Sequence, residues 1–326
     1  MTLLTVSNIS KQGEGDFVLK DITFAQKKLQ KIAIAGETGS GKSTLLKIIA
    51  GLIEPDTGEV YFESEKIKGP AHKLVPGHPS IAYLSQHFEL AHSLRVEQVL
   101  SYANMLSDTE AETLFEVCRI SHLLKRRTDQ LSGGEKQRIA IARLLISWPK
   151  LLLLDEPFSN LDRVHQNILE NIIRDIGKKL KITCILVSHD PTDTLWWADK
   201  ILVMKDGRII QQGTPEKIYH KPVNEYTAAL FGKYNLIKSA QADALKIFGI
   251  KPSKKDLMIR PESFKLVSRK SKAVRGKVMG VNFFGSHYEI EVSLLETVVI
   301  VRTEQNKIQS GDTVYLTVSA DGMWHV

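Results

Sequence analysis

The stretch KIAIAGETGSGKSTLLKIIAG, Lys31 to Gly51, decides how this chain folds. Ile32 to Ala35 is a compact apolar run that stops at a glycine, the pattern of a short buried strand entering a turn. From Gly41 the period lengthens: Leu45, Leu46, Ile48 and Ile49 share one helical face, and Gly51 marks the stop. Between strand and helix, Gly36, Gly39 and Gly41 free the backbone for positive φ and let its N–H groups approach an oxyanion. The start of the helix adds its partial positive charge at the same place. In this setting the loop Gly36-Glu37-Thr38-Gly39-Ser40-Gly41-Lys42-Ser43 predicts a cradle for the phosphates of a nucleoside triphosphate. Lys42 is expected to reach the β- and γ-phosphates, the Ser43 hydroxyl to ligate Mg²⁺, and Thr44 to donate on the α-phosphate side.

Working outward, FVLKDITF (Phe17 to Phe24) alternates as a strand, and Glu59–Phe62 and Ile81–Leu84 read as further short strands. Helical spacing returns over Glu135–Ile146 and Gln166–Leu180, while Leu151–Leu154 and Ile182–Val187 are uniformly apolar strands. Such strands, separated by helices, indicate a parallel sheet covered on both faces. Residues 96–130 keep a helical period through Val99, Leu100, Ala103, Leu106, Leu114, Phe115, Val117 and Cys118, which predicts a small helical insert. After Gly232 the character changes. From Ala273 onward VRGKVMGV, HYEIEVSL, TVVIVRT, DTVYLTVS and MWHV are short strands spaced by turns, as in a small β-barrel or sandwich. Asp321-Gly322 is a hairpin signal between the last two. The expected division is therefore an α/β domain over 1–235 and a linker plus β domain over 236–326.

Composition agrees with this plan. The chain has 326 residues, enough for two cores, with 43% hydrophobic and 25% charged residues, which excludes a disordered chain. The net charge of +7 suits anionic partners but equally a solvated surface. The two cysteines, Cys118 and Cys184, stand far apart in apolar neighbourhoods and read as buried hydrophobes of a reducing compartment. The start of the chain lacks the pattern of a signal peptide, and Pro149 and Lys150 interrupt the richest apolar run, Leu144–Leu154, before it could span a bilayer. The expected location is cytoplasmic, with any membrane attachment made through a partner.

Two further segments carry chemistry. Leu151–Leu154 is a buried strand that delivers Asp155 and Glu156 to its C-terminal end, beside the glycine loop. Asp155 is expected to hold Mg²⁺, directly or through water, and Glu156 to polarise an attacking water as general base. Leu131-Ser132-Gly133-Gly134-Glu135-Lys136-Gln137-Arg138 opens a helix with small residues whose N–H groups form an anion site that has no ligand in its own loop.

This last segment resembles the signature of ATP-binding cassette (ABC) ATPases, and the other family marks follow in order. Gln86 in Tyr83-Leu84-Ser85-Gln86 matches the glutamine that senses Mg²⁺ and the water and couples to a membrane partner. Ser159-Asn160-Leu161-Asp162 looks like the loop that connects two sites, and His189 in Ser188-His189-Asp190 resembles the histidine that contacts the γ-phosphate. The resemblance implies a P-loop ATPase domain of the ABC type with a helical insert, using ATP and Mg²⁺. It also implies a head-to-tail homodimer in which Ser132, Gly133, Gly134 and Glu135 of one copy close over the ATP of the other. Two departures stand out. Where the family has an adenine-stacking aromatic, residues 11–16 offer none, and Phe17 either stacks on the base or packs in the core. The insert is also short.

Asp206–Ile237 resembles the end of the ATPase domain of bacterial importers. IRPESFKLV (Ile259–Val267) with FFGSHYEIEV (Phe283–Val292) resembles their appended transport-associated OB-like domain. The resemblance implies the importer branch for polyamines, ferric iron, sulfate, molybdate or sugars. Such a chain is peripheral at the cytoplasmic face of the inner (cell) membrane. It works through integral membrane permease subunits and, indirectly, a periplasmic or surface solute-binding protein. His87, Phe88, His92 and Leu94 either line the groove that receives the permease or pack the insert. The alternative is a soluble ABC ATPase acting on nucleic acid or the ribosome. No basic stripe with interleaved aromatics accompanies the OB-like tail, so nucleic acid is not expected as a partner.

Overall fold

A computed structural model describes residues 1–13, 17–86, 90–101, 106–159, 161–188, 190, 192–239, 255–269, 273–295 and 297–326; of Phe17, Thr192 and Ala320 it describes the backbone alone. The chain forms two compact units, Met1–Pro215 and Glu216–Val326.

The first unit runs β1 (Thr2–Gln12), β2 (Phe17–Lys27), β3 (Ile32–Ala35), α1 (Lys42–Ile49), β4 (Thr57–Phe62), β5 (Glu65–Lys66) and β6 (Ile81–Leu84). It continues with α2 (Val96–Ser101), α3 (Asp108–Val117), α4 (Gly133–Leu145), β7 (Leu151–Asp155), α5 (Arg163–Lys179), β8 (Thr183–Ser188), α6 (Thr192–Leu195), β9 (Lys200–Lys205) and β10 (Arg208–Gly213). An antiparallel sheet has the order β2-β1-β4-β5, and a second sheet the order β10-β9-β3-β8-β7-β6. In the second, every pairing from β9 to β6 is parallel, and only the β9–β10 hairpin is antiparallel. Leu151–Leu154 of β7 are fully buried, which explains why this strand shows no alternation: both of its faces are covered. α5 needs only one apolar stripe, and Leu169, Ile172, Ile173 and Ile176 supply it, with Asp162 capping its start and Lys178 and Lys179 in its last turn. Within 96–130 the described residues form α2 and α3, followed by 3₁₀ turns at Ser121–Leu123 and Thr128–Gln130; Ala103 lies outside the described residues. Cys118 and Cys184 are buried free thiols, and burial pushes both up to about 12.

Register fixes where the loops meet. Ile81 to Leu84 pair with Leu151 to Leu154, Asp155 pairs with Val187, and Ala35 pairs with Ser188. The C-terminal ends of β3, β6, β7 and β8 therefore share one edge, where ligands of open α/β sheets bind.

The second unit contains most of α7 (Pro215–His220), then α8 (Glu225–Leu230), β11 (Asn235–Ile237), β12 (Leu257–Ile259), β13 (Phe264–Leu266), β14 (Val274–Phe283), β15 (Tyr288–Leu294), β16 (Thr297–Thr303), β17 (Thr313–Val318) and β18 (Met323–His325). Five strands in the order β13-β17-β14-β15-β16 form a sheet that curls until its edge strands approach each other, giving the OB-like character. Alternation is clear here: Val274, Gly276 and Val278 point inward, with Arg275, Lys277 and Met279 exposed between them.

The Asp321-Gly322 hairpin does not form. β17 and β18 lie in different sheets, β18 pairing with β12, and residues Ala320–Gly322 make a 3₁₀ turn. Gly322 has no left-handed φ; a Cβ there would come within 2.8 Å of Ser263 Cβ, so close approach explains the glycine.

Within the second unit, which begins at Glu216, Arg260 ties the segment ahead of β11 to the residues that follow β12. Its buried guanidinium donates to the carbonyls of Tyr219, Ala228, Gly232 and Lys233 at 2.8–3.3 Å and lies 4.2 Å from the centre of the Tyr219 ring. Segment 216–233 is thereby bound to β12. Arg260→Met would leave these carbonyls without a charged donor and destabilise the second unit by about 3 kcal/mol. Hydrogen exchange of the full chain should then show β11 and β12 amides exchanging roughly a hundredfold faster. Unchanged exchange there would rule out this role for Arg260.

Candidate active site

The glycine loop leaves β3 and enters α1 without a side-chain cap. Gly41 stands at the helix start with φ 94°, so the first N–H groups of α1 are left for a ligand. Gly36 is pressed against β9: a Cβ there would lie 2.4 Å from the Met204 carbonyl oxygen. Glu37, Thr38 and Gly39 are exposed, Ser40 and Lys42 are buried, and Ser43 and Thr44 are half-buried. Lys42 Nζ donates to the Gly36 and Glu37 carbonyls at 2.8 and 2.6 Å and approaches Ser40 Oγ at 3.4 Å. Burial pulls its pKa down, opposed by the charges of Glu156, Asp155 and Glu37. A cation thus sits at the centre of the loop with acidic groups close by.

The two carboxylates at the end of β7 are held differently. Asp155 is buried, and both of its oxygens accept hydrogen bonds: Oδ1 from Ser43 Oγ at 2.9 Å, Oδ2 from the Tyr83 hydroxyl at 2.8 Å. Burial first, and the Asp155 charge second, push the Tyr83 phenol well above its ordinary range, so it stays a donor. Glu156 turns out of the strand with φ 49°, a left-handed conformation that is uncommon for a residue with a side chain. Its N–H donates to the Val187 carbonyl at 3.0 Å, its carbonyl accepts from Ser159 Oγ at 2.7 Å, and Gln86 Nε2 donates to its Oε2 at 3.2 Å. Glycine loop, Asp155, Glu156 and Gln86 are therefore one cluster. His189, Asn160, His87 and Phe88 lie outside the described residues, as does the Phe17 side chain; His92 is exposed and Leu94 half-buried.

Ser132 caps α4 in a reciprocal box: its hydroxyl accepts from the Glu135 N–H, and the Glu135 carboxylate accepts from the Ser132 N–H at 2.8 Å. Partial burial works to raise the Glu135 pKa, but the Ser132 hydrogen bonds and the charges of Arg126 and Arg138 bring it below the usual range. Gly133 faces open space, whereas a Cβ on Gly134 would meet the His165 ring at 2.6 Å. Among the described residues, the side-chain hydrogen bonds of Ser132 and Glu135 run to each other and to Arg126, not to the glycine loop.

Four polar residues at this edge were not singled out from the sequence. Tyr83 bonds Asp155, Gln137 donates to the Pro157 carbonyl, and Asp193 accepts from Ser188 Oγ at 2.7 Å and from Gln166 Nε2 at 2.9 Å. Tyr83 and Gln137 lie inside quoted motifs, and a polar tip in an apolar strand was the available signal for Tyr83. Nothing local marks Asp193 or Gln166.

Comparison with known proteins adds an independent line. A family model described as ABC transporter matches residues 19–159, and one described as TOBE domain matches residues 257–326. The chain is 32% identical to the spermidine/putrescine import ATP-binding protein PotA of Clostridium acetobutylicum, over 98% of this chain and 95% of that relative. Among solved structures, cbiO1 of Clostridium perfringens, described as part of the ABC transporter complex cbiONQ, is 32% identical with a TM-score of 0.59, covering 67% of this chain and 90% of its own. The ATP-binding cassette MJ0796, solved as a dimer bound to ADP and Pi, is 26% identical with a TM-score of 0.55, covering 65% of this chain and 99% of its own. Because the likeness to PotA runs nearly end to end and through both units, the chain belongs to the ABC transporter family, as an ATP-hydrolysing subunit with a C-terminal TOBE domain.

Proposed function

We propose that this chain works as a head-to-tail homodimer at the cytoplasmic face of the cell membrane. There it hydrolyses ATP with Mg²⁺ to drive a permease fed by a solute-binding protein, with a polyamine as the solute. The observation that carries this reading is the convergence of Lys42, Ser43, Asp155, Glu156 and Gln86 at one sheet edge. The apposition of two copies is supported by the Ser132–Glu135 cap, whose Gly133 is exposed and faces open space. The permease and the polyamine are supported by the PotA relatives, which are named for spermidine/putrescine import. Those names give no support to the nucleic-acid or ribosome alternative. Among the described residues no helix is long and apolar enough to cross a membrane.

Each residue has a role in this reading. N–H groups of residues 36–44 and the start of α1 bind phosphate oxygens, with Thr44 on the α-phosphate side. Lys42 exchanges its loop carbonyls for β- and γ-phosphate oxygens. The Ser43 hydroxyl, the Asp155 carboxylate and the Gln86 amide are oxygen donors suited to a hard cation, and Ser43 and Asp155 already lie 2.9 Å apart, so these residues fit Mg²⁺. When bound, Mg²⁺ supplies charge neutralisation at the phosphates. Glu156 takes a proton from a water whose oxygen attacks the γ-phosphorus; the bond to the β–γ bridging oxygen breaks and ADP leaves with its electron pair. Gln86 orients Glu156 and that water, and His189 contacts the γ-phosphate. Ser132, Gly133, Gly134 and Glu135 of the second copy close the site.

Lys42→Ala should lower ATP turnover by about a hundredfold or more; activity near that of the unaltered chain would remove Lys42 from the mechanism. Glu156→Gln should bind ATP but not turn it over, and light scattering should find it dimeric with saturating ATP. A monomer under those conditions would sink the composite site. In the reconstituted transporter, spermidine or putrescine with the binding protein should stimulate ATPase activity. Stimulation by a sugar or an oxyanion instead would overturn the solute assignment and leave the ATPase reading intact.

A further inference from the structure

Tyr83 shares the Asp155 carboxylate with the loop serine, and the sheet determines why. It pairs in register with Leu153 on the neighbouring parallel strand, and Leu153 and Asp155, two residues apart, point to the same face. Tyr83 therefore emerges on the Asp155 side, where its ring packs against the core cluster that contains Leu45, Leu151 and Leu153. Ile81, Ala82 and Leu84, the rest of β6, are apolar and buried. A phenylalanine would fill the same slot. What the tyrosine adds is a hydroxyl 2.8 Å from Asp155 Oδ2.

The χ2 torsion of a free aspartate is broad and roughly two-fold. Here Oδ1 is held by Ser43 and Oδ2 by Tyr83, so rotation about that torsion would break two hydrogen bonds at a carboxylate that is only 3% exposed. The same short strand leads to Gln86, whose amide donates to Glu156 Oε2. β6 and the residues just after it thus hold both carboxylates at the end of β7, Asp155 through Tyr83 and Glu156 through Gln86.

We propose that Tyr83 is a positioning residue for Mg²⁺. It fixes the Asp155 carboxylate with Oδ1 toward Ser43 and ties that orientation to the strand that leads to Gln86. The inference rests on the reading of Ser43 and Asp155 as Mg²⁺ ligands. Partners that hydrogen-bond a ligating carboxylate commonly contribute ten- to a hundredfold to metal affinity. Removing the hydroxyl should therefore weaken Mg²⁺ while leaving the metal-free grip on nucleotide alone, because that grip comes from the loop backbone and Lys42.

The test uses the full chain and Tyr83→Phe. Binding of a fluorescent, non-hydrolysable ATP analogue is followed first in EDTA and then as Mg²⁺ is added. The expected result is unchanged analogue affinity in EDTA, an unchanged melting temperature, and a Mg²⁺ midpoint raised about tenfold. If Mg²⁺ fails to tighten binding even in the unaltered chain, the reading of Ser43 and Asp155 as ligands falls, and this inference with it. If the unaltered chain responds to Mg²⁺ and the Tyr83→Phe midpoint coincides with it, Tyr83 has no positioning role and the ligand reading stands. A drop in metal-free affinity equal to the drop with Mg²⁺ would also overturn the inference, since it would mark general damage to the loop.

Discussion

Parallel pairing of β6, β7, β8 and β3 is the constraint on which the site depends. The groups at the active edge come from positions far apart in the chain, and only register brings them together. Leu84 lies opposite Leu154, Asp155 opposite Val187, and Ser188 opposite Ala35, so each strand delivers its following loop to the same edge. Because side chains alternate faces, a slip of one residue between β6 and β7 would turn Tyr83 away from Asp155. Leu151–Leu154 are buried on both faces and alike, so the bonds of Asp155 to Ser43 and Tyr83 are what distinguish this register from one slipped by a residue. The apolar strand therefore stabilises the sheet, and the polar contacts at its end hold the register of the carboxylates.

Lys42 shows how the same edge is prepared for ligand. A buried ammonium without partners would be costly, and the loop satisfies it with its own carbonyls at Gly36 and Glu37. In the proposed role of Lys42 those bonds are given up for phosphate oxygens, so only the difference between the two sets counts toward affinity. The acidic surroundings of Lys42, which oppose the downward pull of burial on its pKa, also disfavour an arriving triphosphate. A cation at the proposed Ser43 and Asp155 site would remove that repulsion, so nucleotide and metal would support each other's binding.

Much of this was legible in the sequence because it is contiguous. The glycine loop, the apolar strand before Asp155, the capping pattern Ser132-Gly133-Gly134-Glu135 and the alternating tail each announce themselves within a dozen residues. What escaped reading depends on partners distant in sequence. Tyr83 meets Asp155 across a strand pair, Gln166 meets Asp193 between two helices, and Arg260 gathers carbonyls from Tyr219 to Lys233. Asp321-Gly322 was misread for the complementary reason: the dipeptide favours a tight hairpin locally, but β18 pairs with β12 instead. A local turn signal cannot report which strand is the better partner.

Glu156 lies at the meeting point of these long-range contacts. Its left-handed backbone costs on the order of 1 kcal/mol or more and must be held by its surroundings. The Val187 carbonyl takes its N–H, Ser159 takes its carbonyl, and Gln137 takes the next carbonyl, that of Pro157. Gln137 belongs to the first turns of α4, just after the Ser132–Glu135 cap, and Gly134 of that cap packs against His165, which is held by the Asp162 that caps α5. Cap, connecting loop and Glu156 backbone are thus one mechanically continuous block. A displacement of the start of α4, the part that a second copy would engage, cannot leave the Glu156 backbone untouched. With Glu156 as the proposed general base and the Ser132–Glu135 cap as the proposed contact of a second copy, the same few hydrogen bonds would link the geometry of hydrolysis to that surface.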